Sequence, residues 1–171
     1  FNINLNVEID ILLTVIYKIY TIHNKFYFEN LDSIIGPMKK LLTINNINYY
    51  SQLVNDRFDK FMKKNNVLFT ENNKEKLIYV YNNFGKFIDQ SSQFPLSFCH
   101  GDLKSPNIFY RNNSRPYFLD WQYIHLNKGV SDLAFLLVES IEFDKITIDI
   151  AVNYYYKLMN KQRKYSFDEY M

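Results

Sequence analysis

The chain has 171 residues, 47% of them apolar, and its 20 Lys and Arg against 18 Asp and Glu leave a formal net charge of +2. That supports one compact core and gives no basic excess or cluster of the kind that nucleic acid requires. No apolar run approaches the roughly 18 residues of a membrane span, and the single cysteine, Cys99, excludes an internal disulfide and suits a reducing compartment, so a soluble, cytoplasmic protein is expected.

In chain order, the first predicted element is a helix from about Val7 to Phe28, with apolar positions over most of its circumference. Residues 32–48 read as a loop with a Gly36-Pro37 break and a short helical piece around Met38 to Leu42. Helices follow from about Tyr49 to Lys64 and from Glu71 to Ser91. Thr70 is placed to cap the second of these, and Leu77, Ile78, Tyr81, Phe84 and Ile88 trace its expected buried face. Phe98-Cys99 ends a strand, and a loop His100-Gly101-Asp102-Leu103-Lys104-Ser105-Pro106-Asn107 leads into a hairpin. Its strands are Ile108 to Arg111 and Pro116 to Leu119, around the polar turn Asn112-Asn113-Ser114-Arg115. Residues 121–128 read as a loop, with His125 a solvent-exposed loop histidine or a substrate contact. Asp132 then opens a helix to about Ile141, and another runs from Thr147 to Asn160. The end, Tyr165 to Met171, reads as an N-cap and one unfinished turn. The fold class expected is α+β, mainly helical, with a small β-hairpin.

The chemistry concentrates between His100 and Asp120. With a four-residue turn, Arg111 faces Pro116 and Asn107 falls opposite Asp120, so period-2 alternation sends both side chains to one face. An amide and a carboxylate close to a second carboxylate, Asp102, make an oxygen donor set for a hard cation such as Mg²⁺. The spacing is that of the phosphoryl-transfer loop H-R-D-x-x-x-x-N followed by a metal-binding Asp. In that template Asp102 takes the proton of an acceptor hydroxyl, and Asn107 and Asp120 hold the Mg²⁺ bridging the ATP phosphates. Lys104 serves as a positive clamp on the transferring group. Taken singly, Asp102 and Asp132 are ordinary loop and cap aspartates, Asn107 a turn former and Trp121 a core residue; it is their combination that points to phosphotransfer.

His100-Gly101-Asp102, Asp120-Trp121-Gln122 and Gly129 to Phe135 together resemble the aminoglycoside phosphotransferase and choline kinase superfamily. Cys99-His100-Gly101-Asp102 with Asp120-Trp121-Gln122 further resembles its ecdysteroid-kinase-like branch. The resemblance implies a protein-kinase-like fold, of which residues 1–171 are part of the C-terminal lobe. On that resemblance the N-terminal lobe, with its phosphate-covering loop and lysine, is expected to have no counterpart in these residues, and the last helices to be partly missing. It implies ATP and Mg²⁺ as cofactors and a small-molecule alcohol as acceptor. His23, in a segment resembling the family's leucine-histidine helix, becomes a packing or hydrogen-bonding residue. The alternatives are a protein kinase lobe, disfavoured by the absence of D-F-G and A-P-E and by only eleven residues between Asp120 and Asp132, and a kinase-like binding module without turnover. A metal-dependent hydrolase would need a denser His/Asp cluster.

Overall fold

Apolar side chains recur every three or four positions from Leu12 to Tyr20, and the computed structural model winds them into helix α1, Ile9–Lys25. The structure describes residues 9–41, 47–111, 115–142 and 144–163. Leu12, Val15, Ile16, Ile19, Tyr20 and His23 form the buried face of α1, whereas Ile9, Ile11 and Tyr17 are exposed. The helix is therefore covered on one side, not all round. It also stops short of Phe28, because Tyr27–Phe28 leave it to form strand β1.

β1 pairs antiparallel with β2, Leu96–Cys99, and β2 pairs on its other side with β5, His125–Asn127, giving the order β1-β2-β5. The segment 121–128 is thus partly strand, and His125 lies on β5 opposite Cys99, where β2 supplies the backbone partners that a loop would lack. A second, two-stranded sheet is the hairpin of β3, Ile108–Arg111, and β4, Arg115–Phe118. Its alternation is clean. Pro116 and Phe118 are buried and Ile108 and Tyr110 half-buried, while Phe109, Arg111, Arg115 and Tyr117 face outward. Helices α4, Val130–Ser140, and α5, Lys145–Arg163, complete this unit; its core joins α1, α4 and α5 to Leu103 and Phe118.

The hairpin register differs from the expected one by a single residue. Arg111 faces Arg115, not Pro116, and Tyr110 faces Pro116. Continuing the ladder puts Asn107 opposite Leu119, whose amide donates to the Asn107 carbonyl at 2.9 Å. Asp120 does not pair with Asn107. Register follows turn length, and one residue fewer in the turn moves every partner.

The chain divides into two compact units, Phe1–Ile35 with Phe94–Met171, and Gly36–Gln93. The second contains α2, Ile47–Asn65, and α3, Glu71–Ser91, after a 3₁₀ turn over Gly36–Leu41. The Thr70 hydroxyl accepts from the Asn73 amide at 3.3 Å, so the expected cap forms. Phe58 of α2 stacks on Tyr81 of α3 with ring centroids 4.0 Å apart. The anticipated buried face of α3 is only half-buried at Leu77, Tyr81, Phe84 and Ile88, and Ile78 is 45% exposed. The expected unfinished turn at Tyr165 to Met171 lies outside the described residues.

One polar network crosses the core of the first unit. The Asp132 carboxylate accepts the His100 amide at 2.7 Å, the Gly101 amide at 2.9 Å and His23 Nε2–H at 3.1 Å. His23 Nδ1 lies 2.6 Å from the Tyr155 hydroxyl. Because a carboxylate only accepts, Nε2 carries the hydrogen, and in the neutral ring Nδ1 accepts from Tyr155. A β-carbon on Gly129 would collide with the Tyr155 hydroxyl and lie 2.6 Å from His23 Nδ1, so α4 can begin this close only with glycine there. Burial by itself pushes the Asp132 carboxyl up. The hydrogen bond from His23 and the positive charge of that ring when protonated, with the two amides, outweigh it and hold the group below the ordinary carboxylate value. A carboxyl held low in the folded state contributes stability above its unfolded value of about 3.9, and that contribution is lost as pH falls through the folded value. Asp132→Asn should therefore destabilise the fold at neutral pH, by about 1–3 kcal/mol for each buried donor it leaves without an acceptor. The deficit from parent should shrink below about pH 4 in urea titrations run across pH. A deficit that stays constant into the acid range would show that ionisation of Asp132 is not what stabilises the fold.

Candidate active site

β2 ends at Cys99, and the chain then turns sharply through Gly101, whose φ is +82°. A side chain here would be strained by that φ and would run into the Tyr123 carbonyl, with His125 Nδ1 2.9 Å from its β-carbon. The arginine of the protein-kinase loop has no room at this position. The turn delivers Asp102, buried, to the start of the loop Leu103-Lys104, and a 3₁₀ turn over Ser105–Asn107 leads into β3.

Within six residues the loop closes on itself. Lys104 Nζ lies 2.9 Å from Asp102 Oδ1, with the lysine side chain about one-third exposed. Asn107, also buried, donates from Nδ2 to the Asp102 carbonyl at 2.8 Å and to Asp102 Oδ2 at 3.1 Å. Asp102 is thus bonded on both carboxylate oxygens, each with further lone-pair capacity. The Lys104 ammonium is held above the ordinary lysine value, chiefly by its bond to Asp102. Partial desolvation opposes this, and the charges of Asp102, Glu139 and Asp120 add to it. Since Nδ2 is committed to Asp102, Asn107 Oδ1 turns to the opposite side of the amide, and it takes no hydrogen bond from the described residues.

Asp120 sits one residue beyond the Asn107–Leu119 pair. It is exposed, accepts from Gln122 Nε2 at 3.3 Å, and has φ +61°, a left-handed conformation rare for a side-chain-bearing residue. That corner ends the strand alternation on which a shared face with Asn107 was expected, so its direction is set by the turn and not by the ladder. The corner is pinned by His100. Its Nε2–H donates to the Leu119 carbonyl at 2.8 Å, while Nδ1 accepts the Asp102 amide at 3.3 Å. The Trp121 ring lies against His100 at 4.5 Å and stacks on Phe98 at 5.9 Å, with its own N–H donated to the Phe118 carbonyl. One buried imidazole thus ties the loop bearing Asp102 to the corner bearing Asp120. Local spacing pointed to Asp102, Lys104 and Asn107, which the fold brings into contact. It gave no sign of the bridging role of His100 or of the hold of Asp132 on the loop, both of which depend on contacts distant in sequence.

By donor type, Asn107 Oδ1 and the Asp120 carboxylate are both oxygen ligands of the kind that a hard divalent cation such as magnesium takes. A second cluster, His23, Cys99 and Asp132, brings its ligand atoms within 4.8 Å of one another. Both His23 nitrogens and both Asp132 oxygens are already engaged there. The Cys99 thiol is pushed well up by burial, and further by the negative charge of Asp132. That cluster reads as a hydrogen-bonded core. His125 is half-buried, and its Nδ1 lies 2.9 Å from the Tyr123 carbonyl.

The ecdysteroid kinase-like family model matches residues 18–166. Two curated relatives, each named Protein LicA, one from Haemophilus influenzae strain ATCC 51907 / DSM 11121 / KW20 / Rd and one from Haemophilus influenzae, are 28% identical over 157 residues, or 91% of this chain. The alignment covers 51% of the first and 40% of the second, so the chain spans about half or less of their length. No solved structure matches. The family match takes in the turn at Gly101, the loop from Asp102 to Asn107, the corner at Asp120 and the Asp132 anchor, and on it this chain belongs to the ecdysteroid kinase-like family.

Proposed function

We propose that the chain carries the phosphotransfer centre of a small-molecule kinase, which moves the γ-phosphate of ATP to an alcohol. The observation that supports this best is the closed loop in which Asp102 is bonded to Lys104 at 2.9 Å and to Asn107 at 3.1 Å. Membership of the ecdysteroid kinase-like family supports a kinase-like function. Because the chain spans about half of its curated relatives, the activity of the whole protein, its acceptor and its nucleotide all belong to the proposal.

In this reading the acceptor hydroxyl approaches the free lone pairs of Asp102. Its oxygen forms the new bond to the γ-phosphorus as the bond to the β–γ bridging oxygen breaks, ADP leaves, and the hydroxyl proton passes to the Asp102 carboxylate. The Asn107 amide and the Lys104 ammonium hold that carboxylate in one orientation, which lowers the entropy cost of reaching the reactive geometry. Lys104 lies in the fields of both Asp102 and Asp120, and there it opposes the charge of the transferring group. Asn107 Oδ1 and Asp120 would hold magnesium, which when bound neutralises phosphate charge.

Three variants test the assignment in the active protein. Asp102→Asn should lower turnover by about 10²–10⁴, the usual share of a positioned base, with little change in nucleotide affinity. Turnover within about threefold of parent would remove Asp102 from that role. Asp120→Ala should weaken magnesium-dependent ADP binding more than Asn107→Ala, because carboxylate charge dominates affinity for a hard cation. Calorimetric titration of the two alanine variants with ADP at fixed magnesium reads the order. The reverse order would move the principal metal ligand to Asn107.

A further inference from the structure

Lys104 occupies the N-cap position of the 3₁₀ turn Ser105–Asn107, and its side chain makes no capping hydrogen bond. Cap positions ordinarily carry Ser, Thr, Asp or Asn, whose short oxygen-bearing side chains accept from the first amides of the turn. Lysine has no acceptor. Pro106 has no amide hydrogen, and the Asn107 amide is taken by the Lys104 carbonyl at 2.8 Å. Ser105 is left with the amide that needs a partner. Its partner comes from far along the chain: Ser140 Oγ, on the last residue of α4, accepts it at 2.7 Å across 35 residues.

α4 therefore grips the loop at two points. Near its first turn, Asp132 accepts the amides of His100 and Gly101, and at its last residue Ser140 accepts the amide of Ser105. Asp102 and Lys104 lie between the two grips, and Asn107 lies just past the second. The neighbour of Ser140, Glu139, also adds to the fields that keep Lys104 charged.

We propose that Ser140 is a positioning residue for the phosphotransfer centre, a cap supplied in trans that sets Lys104 and Asn107 against Asp102. It frees position 104 from the need for a short capping side chain, so that a cation can stand two residues from the proposed base. This deepens the phosphotransfer reading and rests on it for its functional half, whereas the capping geometry does not depend on any reaction.

The test uses ¹⁵N-labelled chain, with Ser140→Ala to remove the acceptor and Ser140→Thr to retain a hydroxyl. In Ser140→Ala the Ser105 amide should exchange with solvent about two- to tenfold faster, the loss of one ordinary hydrogen bond. The Asn107 side-chain amide resonances, which report its bonds to Asp102, should move. Ser140→Thr should restore both. Unchanged Ser105 exchange in Ser140→Ala overturns the proposal. Faster Ser105 exchange with an unmoved Asn107 amide also overturns it, by reducing Ser140 to a local cap. In protein with measurable turnover, Ser140→Ala should lower kcat by about tenfold, with KM for ATP within about twofold and recovery in the Thr variant, because misplacement acts on the transition state more than on binding. An unaltered kcat overturns the positioning role. Were the parent to transfer phosphate to no alcohol, the phosphotransfer reading would fall, while the exchange and resonance measurements would still decide what Ser140 does to the loop.

Discussion

The carboxylate of Asp132 is the constraint on which the loop geometry depends. A chain leaving a buried strand and turning at once, as this one does after Cys99, carries two amide donors into the interior with no strand to receive them. Unsatisfied, each would cost about 1–3 kcal/mol. A neutral acceptor could serve one; a carboxylate serves both, with bonds of the stronger, charge-assisted kind, and still takes His23 on the same oxygen as the His100 amide. The cost of burying that charge falls on the network as a whole, which draws in α1 through His23 and α5 through Tyr155. Three helices and the end of β2 are thus held at one carboxylate, and the loop inherits its position from them.

From that anchor the site divides into two parts with different origins. In the loop from Asp102 to Asn107 the side-chain bonds among Asp102, Lys104 and Asn107 span at most five residues, while Ser140 holds the Ser105 amide from 35 positions away. The corner at Asp120 has no such local closure, and its left-handed backbone is held by Leu119. That residue gives its amide to Asn107 and its carbonyl to His100. Both parts are held by buried, hydrogen-bonded side chains, Asp102 and Asn107 in the loop and His100 at the corner. The glycine at position 101 belongs to the same economy of space, since the Tyr123 carbonyl occupies the room a side chain would need.

How far this was legible in the sequence follows from the range of the forces involved. α3 matched its expected bounds because Thr70 and the residues after it hold the start signal within one turn. The closeness of Asp102, Lys104 and Asn107 was legible for the same reason, since they lie within six residues of one another. The hairpin strands were visible, but their register was not: alternating residues fit either pairing, and only the turn length separates Arg111 facing Arg115 from Arg111 facing Pro116. β1 and β5 are two and three residues long and exist because β2 lies between them, so no pattern of their own announces them. Asp132 and Ser140 looked like ordinary helix residues, since the amides they accept lie more than 30 positions away. The all-round apolar character of the first helix likewise overstated its burial, because a helix can carry Ile11 and Tyr17 on an exposed side at little cost.

Cys99 gives this arrangement an internal reporter. It is the one thiol in the chain, fully buried, adjacent to the first amide that Asp132 holds, and disfavoured as a thiolate by burial and by that same carboxylate. A thiol in this state reacts with an alkylating or disulfide-exchange reagent only when its strand opens. The rate at which the protein takes up one equivalent of such a reagent is therefore a clock for excursions of β2 and the loop beyond it. It needs no engineered label and no background thiol subtracted.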